Sequence, residues 1–142
     1  MKNYKSVWTQ GIPDDAKVVR TEVFVIEQGF PVEIELDQLD DVVLHIVLYE
    51  NDIPIATGRI IQETPTQFRL GRIAVLQDYR KSGIGARIMK FMEAKAAELG
   101  AIKLLLSAQF RTQGFYEKCG YIAIGGTYTD HHVEHIDMEK DI

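Results

Sequence analysis

The stretch LQDYRKSGIGARIMKFMEAKAAELGA, residues 76–101, decides how the rest of the chain is read. Just before it lies GRIAV, residues 71–75, an apolar run of strand character. From Ile84 onward Ile84, Ile88, Phe91, Met92 and Leu99 mostly recur on one helical face, and Gly100 supplies the stop. Tyr79, Arg80, Lys81 and a Gly-x-Gly pair therefore sit at a strand–loop–helix junction. The N–H groups of a helix's first turn lack intrahelical partners and carry partial positive charge, which suits a phosphate. Gly83 and Gly85 leave the backbone approachable, and Arg80 and Lys81 add positive charge. The junction reads as a phosphate-binding turn.

Working outward, residues 5–9 predict a first strand. PDDAKVVRTEVFVIEQG, residues 13–29, starts with proline and two acids and ends at a glycine, the marks of a helix despite its valines. Residues 31–41 are acidic and irregular, with room for a short helical turn. VVLHIVLYE and IPIATGRIIQE flank Asn51-Asp52 and read as a hairpin, and residues 68–75 add a third strand to the meander. After the long helix, AIKLLLSA is almost wholly apolar, as in a strand buried on both faces. A second helix near residues 111–118 and two last strands, YIAIGG and EHIDME, complete the order. A meander followed by a β-α-β crossover predicts a mixed α/β sheet, with the turn at the carboxyl end of a central strand.

At 142 residues, with 46% hydrophobic and 26% charged residues, the chain predicts one domain, residues 1–142, with a sizeable core. No apolar run approaches the ~20 residues that span a bilayer, and MKNYKSVW lacks the apolar core of a signal peptide. The single Cys119 rules out an internal disulfide framework and fits a reducing compartment. A net charge of −5 argues against general nucleic-acid binding. The expectation is a cytoplasmic protein with no membrane or nucleic-acid partner.

The glycine turn excludes two familiar phosphate folds. A dinucleotide loop needs a third small residue where Ile88 stands, and an acid roughly 20 residues further on that the chain does not supply. A Walker loop is absent. What remains is R-x-x-G-x-G, RKSGIG at residues 80–85, opening a helix after a strand. Here the chain resembles the GNAT superfamily of acyl-CoA-dependent N-acyltransferases, whose cofactor signature is [QR]-x-x-G-x-[GA]. GFYEKCGY, residues 114–121, is similar to the family's F-Y-x-x-x-G-[FY] segment. VFVIEQG and EHIDM resemble an ElaA-like or YjcF-like branch. The resemblance covers essentially the whole chain.

That resemblance implies a GNAT-type fold, acetyl-CoA as co-substrate, no metal, and acetyl transfer to a primary amine by direct attack in a ternary complex. It assigns the coenzyme A pyrophosphate to Arg80, Lys81, Ser82, Gly83, Ile84, Gly85 and Ala86. It assigns the pantetheine to the backbone of Ile73, Ala74 and Val75, with Gln109 as a possible further contact. Tyr116 matches the position that protonates the departing thiolate, which a phenol can do; the plain alternative is a packing tyrosine. The base is left open among Glu22, Glu27, Asp37 and His135, with Glu27 and Asp37 on the acceptor side and His135 suited to work near neutral pH.

Other readings stand beside these. The acidic stretch suggests a cationic acceptor, a small molecule or a peptide amine. HHVEH, residues 131–135, satisfies H-x-x-E-H, yet the preceding glycines and the alternation in EHIDME point to a hairpin, not a metal-binding helix. Cys119 reads as buried filler and His45 as structural. A non-catalytic acyl-CoA-binding sensor is the alternative function on the same fold. Exposed edge strands permit a homodimer without requiring one.

Overall fold

The computed structural model describes residues 2–142 and, at Ile34, the backbone alone. Seven strands form one sheet in the order β1-β2-β3-β4-β5-β7-β6. β1 (Tyr4–Gln10), β2 (Leu44–Glu50), β3 (Ile53–Gln62) and β4 (Gln67–Val75) make the antiparallel meander. Asn51 and Asp52 both take positive φ, 50° and 69°, as a two-residue turn between twisted strands requires. β5 (Lys103–Gln109) pairs parallel to β4, and α3 (Ile84–Glu98) makes the crossover. α4 (Gln113–Lys118) then leads to β6 (Ile122–Asp130) and β7 (Val133–Asp141), a hairpin whose second strand pairs with β5.

The crossover helix buries Ile84, Ile88, Met89, Met92 and Ala96 against one face of the sheet. Met89 completes this stripe in place of Leu99, which caps the helix and is 44% exposed. The other face carries α1 (Asp14–Arg20), which packs on β2, β3 and β4. The helix expected to run on to Gly29 widens instead into a π-helical segment, Thr21–Glu27. The acidic stretch forms α2 (Val32–Glu35) and a 3-10 turn, Gln38–Asp41. Because α1 packs on β2–β4, β5 is not buried on both faces as its apolar sequence predicted. Leu104, Leu106 and Ala108 are buried, whereas Leu105 is partly covered and Ser107 exposed.

Two strands then part. β4 and β5 pair only from Gln67–Lys103 to Leu70–Leu106. Beyond that point β4 stays with β3, and β5 stays with β7. At the parting β4 bulges: Arg72 has φ 50°, and the register with β3 shifts between Thr57 and Arg59. The sheet thus opens at its centre, beside the start of α3.

Candidate active site

The opening holds a cleft of ≈ 810 Å³. Ile73, Ala74 and Val75 line it from β4, and Arg80, Lys81, Gly83, Gly85 and Ala86 line it from the turn and the start of α3. Gln109, Tyr116 and His135 reach it from β5, α4 and β7. Ser82, Ile84, Glu27 and Asp37 do not line it: Ser82 donates to the Tyr79 carbonyl at 2.9 Å, and the Ile84 side chain is in the core.

The turn has the free donors that the sequence promised. No side chain caps α3, and the first bond back to the cap runs from Arg87 N–H to the Gly83 carbonyl at 3.0 Å. The N–H groups of Ile84, Gly85 and Ala86 therefore have no carbonyl within the helix. Gly83 holds φ 81°, with nothing within 4 Å of where a Cβ would sit, so backbone conformation alone demands glycine there. Gly85 serves another purpose: a Cβ would stand 3.0 Å from the Phe115 ring. Its missing side chain lets α4 pack against α3, which the sequence reading had credited wholly to ligand approach.

Arg80 is already engaged. It donates to both Glu27 oxygens at 2.6 and 2.7 Å, and its Nε donates to the Val75 carbonyl at 2.9 Å. The Arg80 hydrogen bond lowers the Glu27 pKa. Glu27 is thus the partner of a turn cation in this structure. Gln109 is likewise tied, donating to Gln28 Oε1 at 2.6 Å and accepting from Arg111 Nε at 3.0 Å.

Tyr116 is half-buried, edge-on to Phe115 with ring centroids 5.0 Å apart, and its hydroxyl has no hydrogen-bond partner among the described residues. Burial pushes its pKa well above that of an ordinary phenol, so it holds its proton. His135 is buried, stacked on Tyr128 at 5.9 Å, and Tyr128 in turn donates to Asp137 at 2.7 Å. His135 Nδ1 lies 2.9 Å from the Val133 carbonyl and must be the donor there. In the neutral ring this leaves the lone pair on Nε2.

The sequence reading missed a buried set of six charges. Arg20, fully buried, donates to Glu35 Oε1 at 2.5 Å and to Asp40 at 2.7 and 3.0 Å. Arg59 donates to Asp37 at 2.7 and 3.0 Å and to Asp40 at 2.9 Å. Arg72, at the bulge, lies 3.3 Å from both Glu35 Oε2 and Asp37 Oδ2. Three guanidiniums match three carboxylates, so the acidic stretch is not free negative charge, and Asp37 serves the network and caps the 3-10 turn. Asp40, partly desolvated yet bonded to Arg20, is held at a pKa of about 2. Burial raises Glu35, which lines the cleft, against the pull of Arg20 and Arg72. His45 contacts the Asp40 carbonyl at 3.0 Å, and burial lowers its pKa. A signal was present: Arg20 falls beside Ala16, Val19 and Val23 on a buried helix face, and Arg59 lies in an apolar strand.

The H-x-x-E-H string spans a hairpin turn, with Glu134 exposed and His135 buried on the next strand. Among the described residues no three His, Cys, Asp or Glu side chains converge on a metal-sized site. No helix among them is long and apolar enough to cross a membrane.

Comparison with known proteins agrees with this geometry. The family model of the acetyltransferase (GNAT) domain matches residues 14–142. The uncharacterised N-acetyltransferase YjcF of Bacillus subtilis is 40% identical over 128 residues, 89% of this chain and 91% of YjcF. The crystal structure of a Lactobacillus plantarum protein superposes with TM-score 0.90 at 29% identity, covering 97% of both chains. Escherichia coli ElaA superposes with TM-score 0.83 at 23% identity, covering 99% of this chain and 100% of ElaA. A strand pair that parts beside an uncapped helix start, in a chain so matched, agrees with what the family model and YjcF show: this protein belongs to the GNAT acetyltransferase family, as an acyltransferase that binds acyl-CoA.

Proposed function

We propose that this protein moves an acetyl group from acetyl-CoA to a primary amine by direct attack in a ternary complex. The observation that carries the reading is that one cleft is lined by the parted edge of β4, the uncapped start of α3, Tyr116 and His135. The pyrophosphate takes the free N–H groups of the α3 start, with Arg80 and Lys81 beside it. The pantetheine lies along Ile73–Ala74–Val75 as an added strand would. A backbone amide near the bulge polarises the thioester carbonyl, as oxyanion-hole donors do.

The amine nitrogen attacks the carbonyl carbon, forming the N–C bond. Collapse of the tetrahedral intermediate breaks the C–S bond, and the thiolate takes the Tyr116 proton. The proton lost by the nitrogen passes to His135 Nε2, and exchange with water restores both side chains. Because burial holds Tyr116 protonated, its proton is in place throughout the neutral range when the thiolate departs. No metal and no covalent enzyme intermediate enter this sequence.

The test is turnover of acetyl-CoA across an amine library, with thiol release and product mass both measured. A product heavier than its amine by one acetyl group is the expected result. Tight acetyl-CoA binding with no product from any amine would mean that the fold here serves as a sensor.

A further inference from the structure

One end of the cleft is bridged by side chains. Residues 28–30, just past the π-helical segment, meet the β6–β7 turn at His131 and His132. The Phe30 ring lies 6.1 Å from the His131 ring and 5.1 Å from the His132 ring. His132 Nε2 is 2.9 Å from the Gln28 carbonyl, and Gln109 donates to the Gln28 side chain at 2.6 Å. Phe24 extends the row, edge-on to Phe30 at 6.4 Å and packed towards Val19, Val23 and Ala74. The cleft therefore runs from the α3 start to a wall of aromatic rings, instead of opening as a through-groove.

An extended peptide needs a groove open at both ends, where its main chain finds partners on either side of the reacting residue. A lysine on a folded protein needs a similarly open approach. The ≈ 810 Å³ of this cleft, which the pantetheine arm must share, is in the range of sites for small ligands. Beside the bridge the lining is mixed. Phe24 and Phe30 offer apolar surface, and Asp130 borders the same space. Aromatic faces beside a carboxylate favour an ammonium carried on an apolar body.

Resting on the acyltransferase reading above, we infer that the acceptor is a small primary amine with an apolar body, and that Phe30 and His132 set this selectivity. Peptide and protein lysines are excluded by the bridge.

The experiment measures kcat/KM for acetyl transfer to phenethylamine, ethanolamine and a blocked twelve-residue peptide carrying one lysine. Phenethylamine is expected to exceed ethanolamine by at least ~10-fold and the peptide by at least ~100-fold, the scale on which apolar pocket contacts discriminate. His132→Ala, at an exposed turn, and the double variant with Phe30→Ala should each narrow the gap between phenethylamine and peptide. The double variant should narrow it by ~10-fold, with acetyl-CoA affinity by calorimetry unchanged. Peptide turnover equal to that of phenethylamine in the wild type would overturn the bridge while leaving acetyl transfer standing, as would variants with an unaltered ratio. Equal use of ethanolamine and phenethylamine would overturn the apolar requirement. Bound acetyl-CoA without transfer to any of the three would overturn the inference together with the reading beneath it.

Discussion

The wall built by β4 and the start of α3 brings the uncapped N–H groups of a helix start to the cleft, whereas the wall built from residues 20–41 is held by side chains joined in a network of six charges. In the first, strand end, turn and helix start are contiguous in sequence, and the free donors are a consequence of helix geometry. In the second, Arg20, Glu35, Asp37 and Asp40 meet Arg59 and Arg72 from two strands of the sheet. The first wall needs only a local conformation. The second exists only once the whole meander has formed, because each buried charge depends on partners far along the chain.

The largest effect should come from breaking the second wall. Arg20→Met leaves Glu35 and Asp40 without their main partner in a dry site, a change that typically costs about 3–5 kcal/mol. Urea denaturation should show a lower midpoint with little change in slope. A midpoint equal to wild type would mean that the network is decoration on a wall held by packing.

Next comes chemistry without loss of structure. Tyr116→Phe removes an oxygen that has no hydrogen-bond partner among the described residues, so folding and acetyl-CoA affinity should persist. Its single-turnover rate should fall by a few tens-fold to ~10²-fold, within the usual reach of general acid catalysis. Since burial raises this phenol, wild type should show no Tyr116-dependent loss of rate up to pH ~10, where an ordinary tyrosine ionises. A mutant as fast as wild type would leave Tyr116 a packing residue.

Two glycines of the first wall should then separate. Gly83→Val forces a branched side chain into a left-handed conformation, and acetyl-CoA affinity should drop at least ~10-fold, or ~1.4 kcal/mol, by calorimetry. Gly85→Val should instead press on Phe115 and displace α4, lowering the melting temperature and the catalytic rate together. If both variants lose only affinity, the packing role of Gly85 is wrong.

The smallest effect is a slope in acid. Asp40 is depressed from 3.8 to about 2, and Asp37 is also lowered, so their contributions are complete above pH ~4 and fade as pH falls towards 2. Glu35 is raised, so its contribution has the opposite sign: present at low pH and lost as pH rises through its folded value. The two windows do not overlap, so the slope below pH ~4 comes from Asp40 and Asp37, and Asp40→Asn should flatten it. A pH-stability profile identical in wild type and Asp40→Asn would contradict this.

What could be read beforehand follows the same division. The strand–turn–helix junction at RKSGIG, the Asn51-Asp52 hairpin and the β-α-β crossover are local patterns whose physics acts within a few residues, and as elements of the fold each stands as read. Asp37 and Glu27 were expected to face an acceptor, and both are instead bonded to arginines at positions 59, 72 and 80. Charge counts along a segment cannot reveal such pairing, because the partners lie on other elements. β5 looked buried on both faces because composition reports apolarity and not where α1 packs. Gly85 looked like its neighbour Gly83 because sequence records a missing side chain and not which neighbour occupies the space.

The bulge at Arg72 also changes the phase of its strand. Phe68 and Leu70 belong to the core under α3, and strict alternation would send Ala74 to the same side. Ala74 instead packs with Val19 and Val23 beneath α1, while Ile73 and Val75 take over the α3 side. One extra residue thus swaps even for odd halfway along β4, so a single strand serves both layers of the molecule in turn. A chain shortened by Arg72 alone would run in strict alternation with Ala74 still under α1 and Ile73 and Val75 still on the α3 side. The bulge is therefore what lets β4 carry its extra residue at the opening without turning its second half over.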